Sequence, residues 1–182
     1  NMLLSILVCG CSQDEAMAPQ SISQNEKIVT AGFEQNVSRT YIEDGNLLRW
    51  TEGDQISMFY GNTLNQQYQF DGDTGDNAGI FLPVPPTPVE TGNDLNRLYA
   101  VYPYASDTKI SENGVIATSL PSKQSYVENS FGVGDNTMVA ATANKEDTFL
   151  KFKNVGGYLM LKLYGDNVAV KSITIKGNNN EK

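Results

Sequence analysis

The feature that most constrains the fold is a two-residue alternation of apolar and polar side chains that recurs along the chain. Leu150 and Phe152, for example, alternate with Lys151 and Lys153. Alternation of this kind is typical of a strand with one buried face. No stretch carries apolar residues at helical spacing behind a cap. Strands are therefore predicted over residues 27–34, 55–60, 67–70, 78–82, 97–102, 137–143, 149–153, 158–164 and 170–176.

The predicted fold class is all-β, a Greek-key β-sandwich of about seven to nine strands. Clusters of Gly, Asn and Asp separate the segments, as turns between strands require. The proline-rich residues 83–88 are read as a crossing between the two sheets, and residues 114–136 as a long loop. Trp50, the single tryptophan, is expected in the core. A chain of 182 residues is long enough for one such core.

Composition excludes several classes of chemistry. The chain has no histidine, so it holds neither a serine–histidine nor a cysteine–histidine nucleophile, and no histidine zinc site. Its two cysteines, Cys9 and Cys11, are too few for a Cys₄ site. The net charge of −8 argues against binding of nucleic acid, which needs clustered Lys and Arg. No cofactor is predicted, and the chain is not expected to be an enzyme.

The N-terminal segment reads as a targeting signal. The apolar residues 2–8 are too few to span a bilayer and have the length of a signal-peptide core. Gly10 followed by Cys11 resembles the bacterial lipobox, in which Cys11 would receive the lipid. We therefore expect a lipoprotein signal peptide over residues 1–10, a flexible tether over residues 11–26 and the β domain over residues 27–182. Asp14 and Glu15 resemble a cue for export to the cell surface.

Acidic residues supply the candidate sites that remain. Asp71, Asp73 and Asp76 lie in a glycine-rich loop, which is either a calcium site or a turn whose Asp side chains bond their own backbone. We favour the turn, because the spacing does not match an EF-hand. Paired carboxylates for glycoside hydrolysis would have to come from turns in which nothing in the sequence buries an acid. Those carboxylates are Glu43, Asp44, Glu52 and Asp54.

Clustered tyrosines offer a surface for sugar stacking. Strand alternation places Tyr102 and Tyr104 on the same side, with Tyr102 expected in the core and Tyr104, after Pro103, more exposed. Tyr104 is therefore the candidate ligand-stacking residue.

Five short segments, in order, resemble a known family. Residues 48–56 (LRWTEGDQI) are similar to the W-x-x-G-D-x-I strand of the fimbrillin-like (Mfa-like) lipoproteins of Bacteroidales, and residues 100–104 (AVYPY) to their Y-A-x-Y-P strand. Residues 120–124 (LPSKQ), 152–159 (FKNVGGYL) and 173–178 (ITIKGN) resemble three further segments. The likeness extends over roughly residues 27–180.

This resemblance implies a transthyretin-like sandwich, the first of two domains, in a structural subunit or tip adhesin of surface fimbriae. Subunits of the family lose an N-terminal strand to a protease and receive a strand from the next subunit. Arg39 matches the cleavage position. The implied partners are other fimbrial subunits, the outer membrane through the lipid, and host or glycan ligands. A turn signal at residues 177–180 leads us to expect an N-terminal fragment. The alternative function is a glycan-binding cell-surface lipoprotein.

Overall fold

The computed structural model describes residues 27–34, 48–85, 90–127, 130–156, 163–167 and 169–175. Within these ranges the regular secondary structure consists of eleven strands, and none of the described residues is helical. The strands are β1 (Val29–Phe33), β2 (Gln55–Thr63), β3 (Gln66–Asp71), β4 (Ala78–Pro83), β5 (Glu90–Tyr102), β6 (Lys109–Ile110), β7 (Ile116–Ala117), β8 (Tyr126–Val127), β9 (Ser130–Phe131), β10 (Met138–Ala141) and β11 (Phe149–Asn154).

Seven of these strands form one closed barrel. Their order around the barrel is β1-β11-β10-β5-β2-β3-β4, and β4 pairs with β1 again. All neighbours are antiparallel except β1 and β11, which run parallel. Each of the seven overlaps a strand expected from the alternation of side chains, although β5 begins at Glu90, well before the expected start at residue 97. The all-β class is therefore confirmed.

Strand β1 closes the barrel. It lies between β4 and β11, which are far from it in the chain and do not pair with each other. The hydrogen bonds thus form one continuous ladder, whereas the sequence led us to expect two separate sheets. Alternation produces one buried and one outward face in either arrangement, so it does not distinguish a barrel from a sandwich.

Aromatic rings fill the barrel interior. Trp50 is 1% exposed, as expected, and its ring packs edge-on against Phe81, Tyr102 and Phe152 at centroid distances of 5.0, 5.7 and 5.4 Å. Phe33 stacks on the same indole at 4.6 Å. Offset and edge-to-face contacts of this kind add stability beyond the apolar area buried. The expectation that Trp50 belongs to the core is confirmed.

A second layer covers one outer side of the barrel. Ser57, Phe59 and Val101 point away from the interior and are nevertheless buried. The loop after β5 lies over them, and the backbone N–H of Ala105 donates to Oγ of Ser57 at 3.3 Å. The turn of the β6–β7 hairpin reaches the same side, since a Cβ added at Gly114 would lie 2.4 Å from the Tyr99 hydroxyl.

Three expectations for the second half of the chain need correction. Residues 170–175 have no regular secondary structure and are exposed, so the strand predicted at 170–176 is wrong for those residues. Residues 163 and 164 carry no strand either, while residues 158–162 lie outside the described part. The loop predicted at 114–136 contains short strands, including β7 and β8. These strands have two residues each, too few for alternation to reveal them.

Candidate functional site

The candidate site is the place that β1 occupies between β4 and β11. Along β11 the residues Thr30 to Phe33 lie beside Phe149 to Phe152, and along β4 the residues Val29 to Gly32 lie beside Phe81 to Ala78. Backbone hydrogen bonds continue past the strand ends: the N–H of Thr30 donates to the carbonyl of Thr148 at 3.0 Å, and that of Glu34 to Phe152 at 2.8 Å. Both edges of β1 are therefore bonded to strands distant in the sequence.

The inward side chains of β1 are part of the core. Val29 and Ala31 are fully buried, and Phe33 packs partly buried against the same cluster. Core side chains hold the backbone of β1 as well: the Trp50 Nε1–H donates to the carbonyl of Ala31 at 3.3 Å, and the Tyr68 hydroxyl to that of Lys27 at 2.7 Å. A strand removed from this position would leave an apolar groove between two unpaired edges.

A buried hydrogen-bond cluster joins two of the sequence motifs at one end of the barrel. The Tyr102 hydroxyl donates to Oδ1 of Asp54 at 3.0 Å. The other carboxylate oxygen accepts the backbone N–H of Thr51 at 2.8 Å, within a turn in which Gly53 has a φ of 80°. The N–H of Gly134 donates to the Tyr102 oxygen at 3.0 Å. The cluster thus connects the start of β2, the end of β5 and the loop before β10.

Burial perturbs both acids of this cluster. Desolvation raises the pKa of Asp54 above its ordinary value, although the bonds from Thr51 and Tyr102 act in the opposite direction. Desolvation and the charge of Asp54 raise the pKa of Tyr102 above its usual range. The expectation that none of the candidate carboxylates is buried is wrong for Asp54, which is 6% exposed.

The sequence did not reveal that Asp54 and Tyr102 touch, because they lie 48 positions apart, Asp54 in the turn before β2 and Tyr102 at the end of β5. The available signal was that each belongs to one of the quoted motifs. Tyr102 is 7% exposed, which confirms the expectation that it belongs to the core. Of the other candidate carboxylates, Glu52 lies in the neighbouring turn, and Glu43 and Asp44 lie outside the described residues.

The acidic loop between β3 and β4 is organised by its own backbone. The N–H of Asp73 donates to Oδ2 of Asp76 at 3.2 Å, and Gly75 has a φ of 107°. The loop also contacts the start of the Trp50 motif, because the N–H of Trp50 donates to the carbonyl of Asp76 at 2.8 Å. In the described ranges, no group of three or more His, Cys, Asp or Glu is arranged to hold a metal ion. The bond between Asp73 and Asp76 is of the kind expected for a turn whose Asp side chains bond their own backbone.

Tyr104 lies directly after the Tyr102–Pro103 bond, which is cis. Its side chain is half-buried, and its backbone N–H donates to the carbonyl of Gln55 at 2.8 Å. None of the ring pairs seen in the described part of the chain includes Tyr104. Cys11 and Arg39, the candidate lipidation and cleavage residues, lie outside the described residues.

No helix within the described ranges is long and apolar enough to cross a membrane. In comparisons with known proteins, no family model, no curated protein and no solved structure matches the chain. The functional conclusion therefore depends on the geometry around β1.

Proposed function

We propose that this chain is a structural subunit or tip adhesin of bacterial surface fimbriae that assembles by β-strand addition after removal of its N-terminal strand. The observation that carries the proposal is the position of β1. It is one short strand of five residues that closes the barrel, and neither neighbour is joined to it by a hairpin. Its removal would leave the six remaining barrel strands paired in one open sheet.

Insertion of a new strand into the groove of an opened barrel would be energetically favourable. Strands β4 and β11 would expose the N–H and C=O groups that now bond β1, and the groove would expose side chains such as Phe81 and Leu150, which are now fully buried. Unpaired backbone groups and exposed apolar surface are both costly. A strand from a second subunit would restore both kinds of contact, with backbone bonds for affinity and alternate side chains for register.

The further assignments belong to the same proposal. Lipid on Cys11 would anchor the uncut chain in the outer membrane at the cell surface, and cleavage after Arg39 would separate both this lipid and β1 from the rest of the barrel. Membership of the fimbrillin-like family is supported by the buried contact between two quoted motifs, through Asp54 and Tyr102. The proposed partners are other fimbrial subunits and host or glycan ligands. The proposal requires no cofactor and no catalytic step.

The test uses the three arginines of the chain, Arg39, Arg49 and Arg97. A variant carrying Arg49→Lys and Arg97→Lys keeps Arg39 as its only cleavage position for an arginine-specific protease. Treatment of this variant should yield ladders of oligomers that resist dissociation on denaturing gels without heating. The matched control adds Arg39→Lys and should remain uncut and monomeric. A chain that is cut after Arg39 and remains monomeric would contradict the proposal.

The alternative, a glycan-binding surface lipoprotein, depends on the half-buried ring of Tyr104. It predicts affinity for glycans on an array and loss of that affinity in Tyr104→Ala. Tyr164→Ala is the matched control, because Tyr164 is 90% exposed and lies outside the barrel strands. An array without signal for the intact chain would remove this alternative.

A further inference from the structure

The backbone bonds of β1 do not select one sequence over another. Every ladder bond to β4 and β11 joins main-chain atoms, the Trp50 side chain bonds to a carbonyl oxygen of β1, and the Tyr68 hydroxyl bonds to the carbonyl of Lys27, two residues before β1. Any extended strand presents the same donors and acceptors. The choice between strands must therefore come from the size of the side chains at each position.

The centre of the β1 position has no room for a large side chain. Ala31 is fully buried and lies between Gly79 of β4 and Leu150 of β11. A Cβ added at Gly79 would lie 2.5 Å from the Phe70 ring, so this ring already occupies the space beside Gly79, the residue opposite Ala31. The indole of Trp50 reaches the carbonyl of Ala31 from the interior. A side chain longer than a methyl group at this third position would overpack the core.

The other positions of β1 have requirements of their own. Val29, at the first position, is fully buried, and Phe33, at the fifth, stacks on Trp50 at 4.6 Å. Gly32, at the fourth position, faces outward in a tight place, since an added Cβ would lie 3.2 Å from Cβ of Ala78. The second position, Thr30, faces outward and is half-buried.

We propose that the groove selects its incoming strand by size: a branched aliphatic residue at the first position, a small residue at the third, glycine at the fourth and an aromatic residue at the fifth. The partner is therefore a subunit whose donor strand carries a small residue at its centre. This inference rests on the proposed function, because it describes the strand that would replace β1.

The same rule excludes a strand-like segment of this chain. Residues 171–175 (KSITI) alternate like a strand and are exposed. With their isoleucines facing inward, they would place either Ile173 or Ile175 at the third position, where Ala31 now lies. Both side chains exceed a methyl group, so we expect this segment to be rejected by the groove.

The first experiment compares two isoleucine substitutions in the full chain. Ala31→Ile adds bulk on the inward side of β1, and Thr30→Ile adds it on the outward side, at the preceding residue. We expect Ala31→Ile to lower the Tm by about 3–10 °C through overpacking, and Thr30→Ile to change it by less than about 2 °C. Equal melting temperatures for the two variants would overturn the inference.

The second experiment keeps the native groove and varies the incoming strand. The variant with Arg39 as its only arginine is cleaved and offered labelled peptides spanning residues 27–34. The natural peptide and its Thr30→Ile form should exchange into the chain, whereas the Ala31→Ile form should bind at least about fivefold more weakly. A peptide of residues 169–175 should not enter. Affinities within about twofold for the natural and Ala31→Ile peptides would overturn the inference.

The two experiments separate this inference from the proposed function. If no peptide enters the cleaved chain, strand replacement fails as a function, and the pair of melting temperatures still decides whether the groove is selective. If peptides enter with the expected selectivity but the cleaved chain forms no ladder, the size rule holds and the polymerisation proposal fails.

Discussion

Two segments of this chain carry a similar alternation of side chains, but only one of them forms a paired strand. Residues 29–33 form β1, bonded along both edges and buried on one face. Residues 170–175 alternate in the same way, yet no strand pairs with them within the described part of the chain, and Val170 and Ile175 are 57% and 66% exposed. Alternation therefore specifies which side chains share a face, and not whether a partner strand is present.

The reason lies in where a strand finds its hydrogen bonds. A helix satisfies its backbone within the segment, whereas a strand needs a neighbour. The neighbours of β1 lie at residues 78–81 and 149–152, which the local sequence does not indicate. The first three of the following predictions compare the barrel with residues 163–175, the fourth tests the buried Asp54, and the four are given in decreasing order of effect.

Hydrogen exchange should separate the two segments most strongly. The amides of Thr30 and Glu34 donate to the backbone carbonyls of Thr148 and Phe152, on the β11 side of β1, so their exchange requires opening of the barrel. We expect them to exchange at least roughly a thousandfold more slowly than the amides of residues 171–175. Exchange of the intact chain, followed by NMR or mass spectrometry, measures both groups together. Similar rates would show that β1 is not held as described.

A matched pair of valines tests how much burial of a side chain in the barrel contributes to the free energy of unfolding. Val29→Ala removes two methyl groups from a fully buried side chain, which should lower the free energy of unfolding by about 2 kcal/mol. Val170→Ala removes the same groups from an exposed side chain and should change it by less than about 0.5 kcal/mol. Urea denaturation of both variants provides the measurement. Equal losses in the free energy of unfolding for Val29→Ala and Val170→Ala would contradict the burial of Val29 in the barrel.

A matched pair of tyrosines tests the buried cluster. Tyr102→Phe removes the hydroxyl that donates to Asp54 and accepts from Gly134, leaving a buried carboxylate oxygen short of a donor. The expected loss is about 1–3 kcal/mol. Tyr164→Phe changes a hydroxyl on a residue that is 90% exposed and should have almost no effect. Unfolding curves for the two variants, side by side, decide whether the cluster stabilises the barrel.

The smallest expected effect is on pH dependence. Burial raises the pKa of Asp54 from its ordinary 3.8, so its contribution to stability is present below that pH and is lost as the pH rises through the raised pKa. The Tm advantage of the wild type over Asp54→Asn should therefore shrink between low pH and neutrality. Asp147 has the opposite sign, because the N–H groups of Phe149 and Ala143 lower its pKa, but it is present in both proteins. A gap that widens with pH would contradict the role of burial.

Local pattern was sufficient to locate the seven barrel strands, except for the first half of β5, and to predict that Trp50 and Tyr102 are buried. It was insufficient for closure of the barrel, since that depends on β1 meeting two distant edges at once. It also failed for Asp54, whose turn looked exposed because its partner, Tyr102, lies on another strand. The candidate site could be predicted from the sequence only in part. The resemblance pointed to an N-terminal strand, but the strands beside it and the small space at Ala31 are visible only in the folded structure.

The order of apolar and polar residues by itself determined that this chain forms strands and which of their side chains face inward, because the geometry of an extended backbone sends successive side chains to opposite sides. The folded structure was needed to show which strands pair, that β1 completes the barrel and that residues 170–175 form no strand. The physical reason is that strand pairing satisfies backbone groups between distant segments, so its outcome depends on the whole set of available edges.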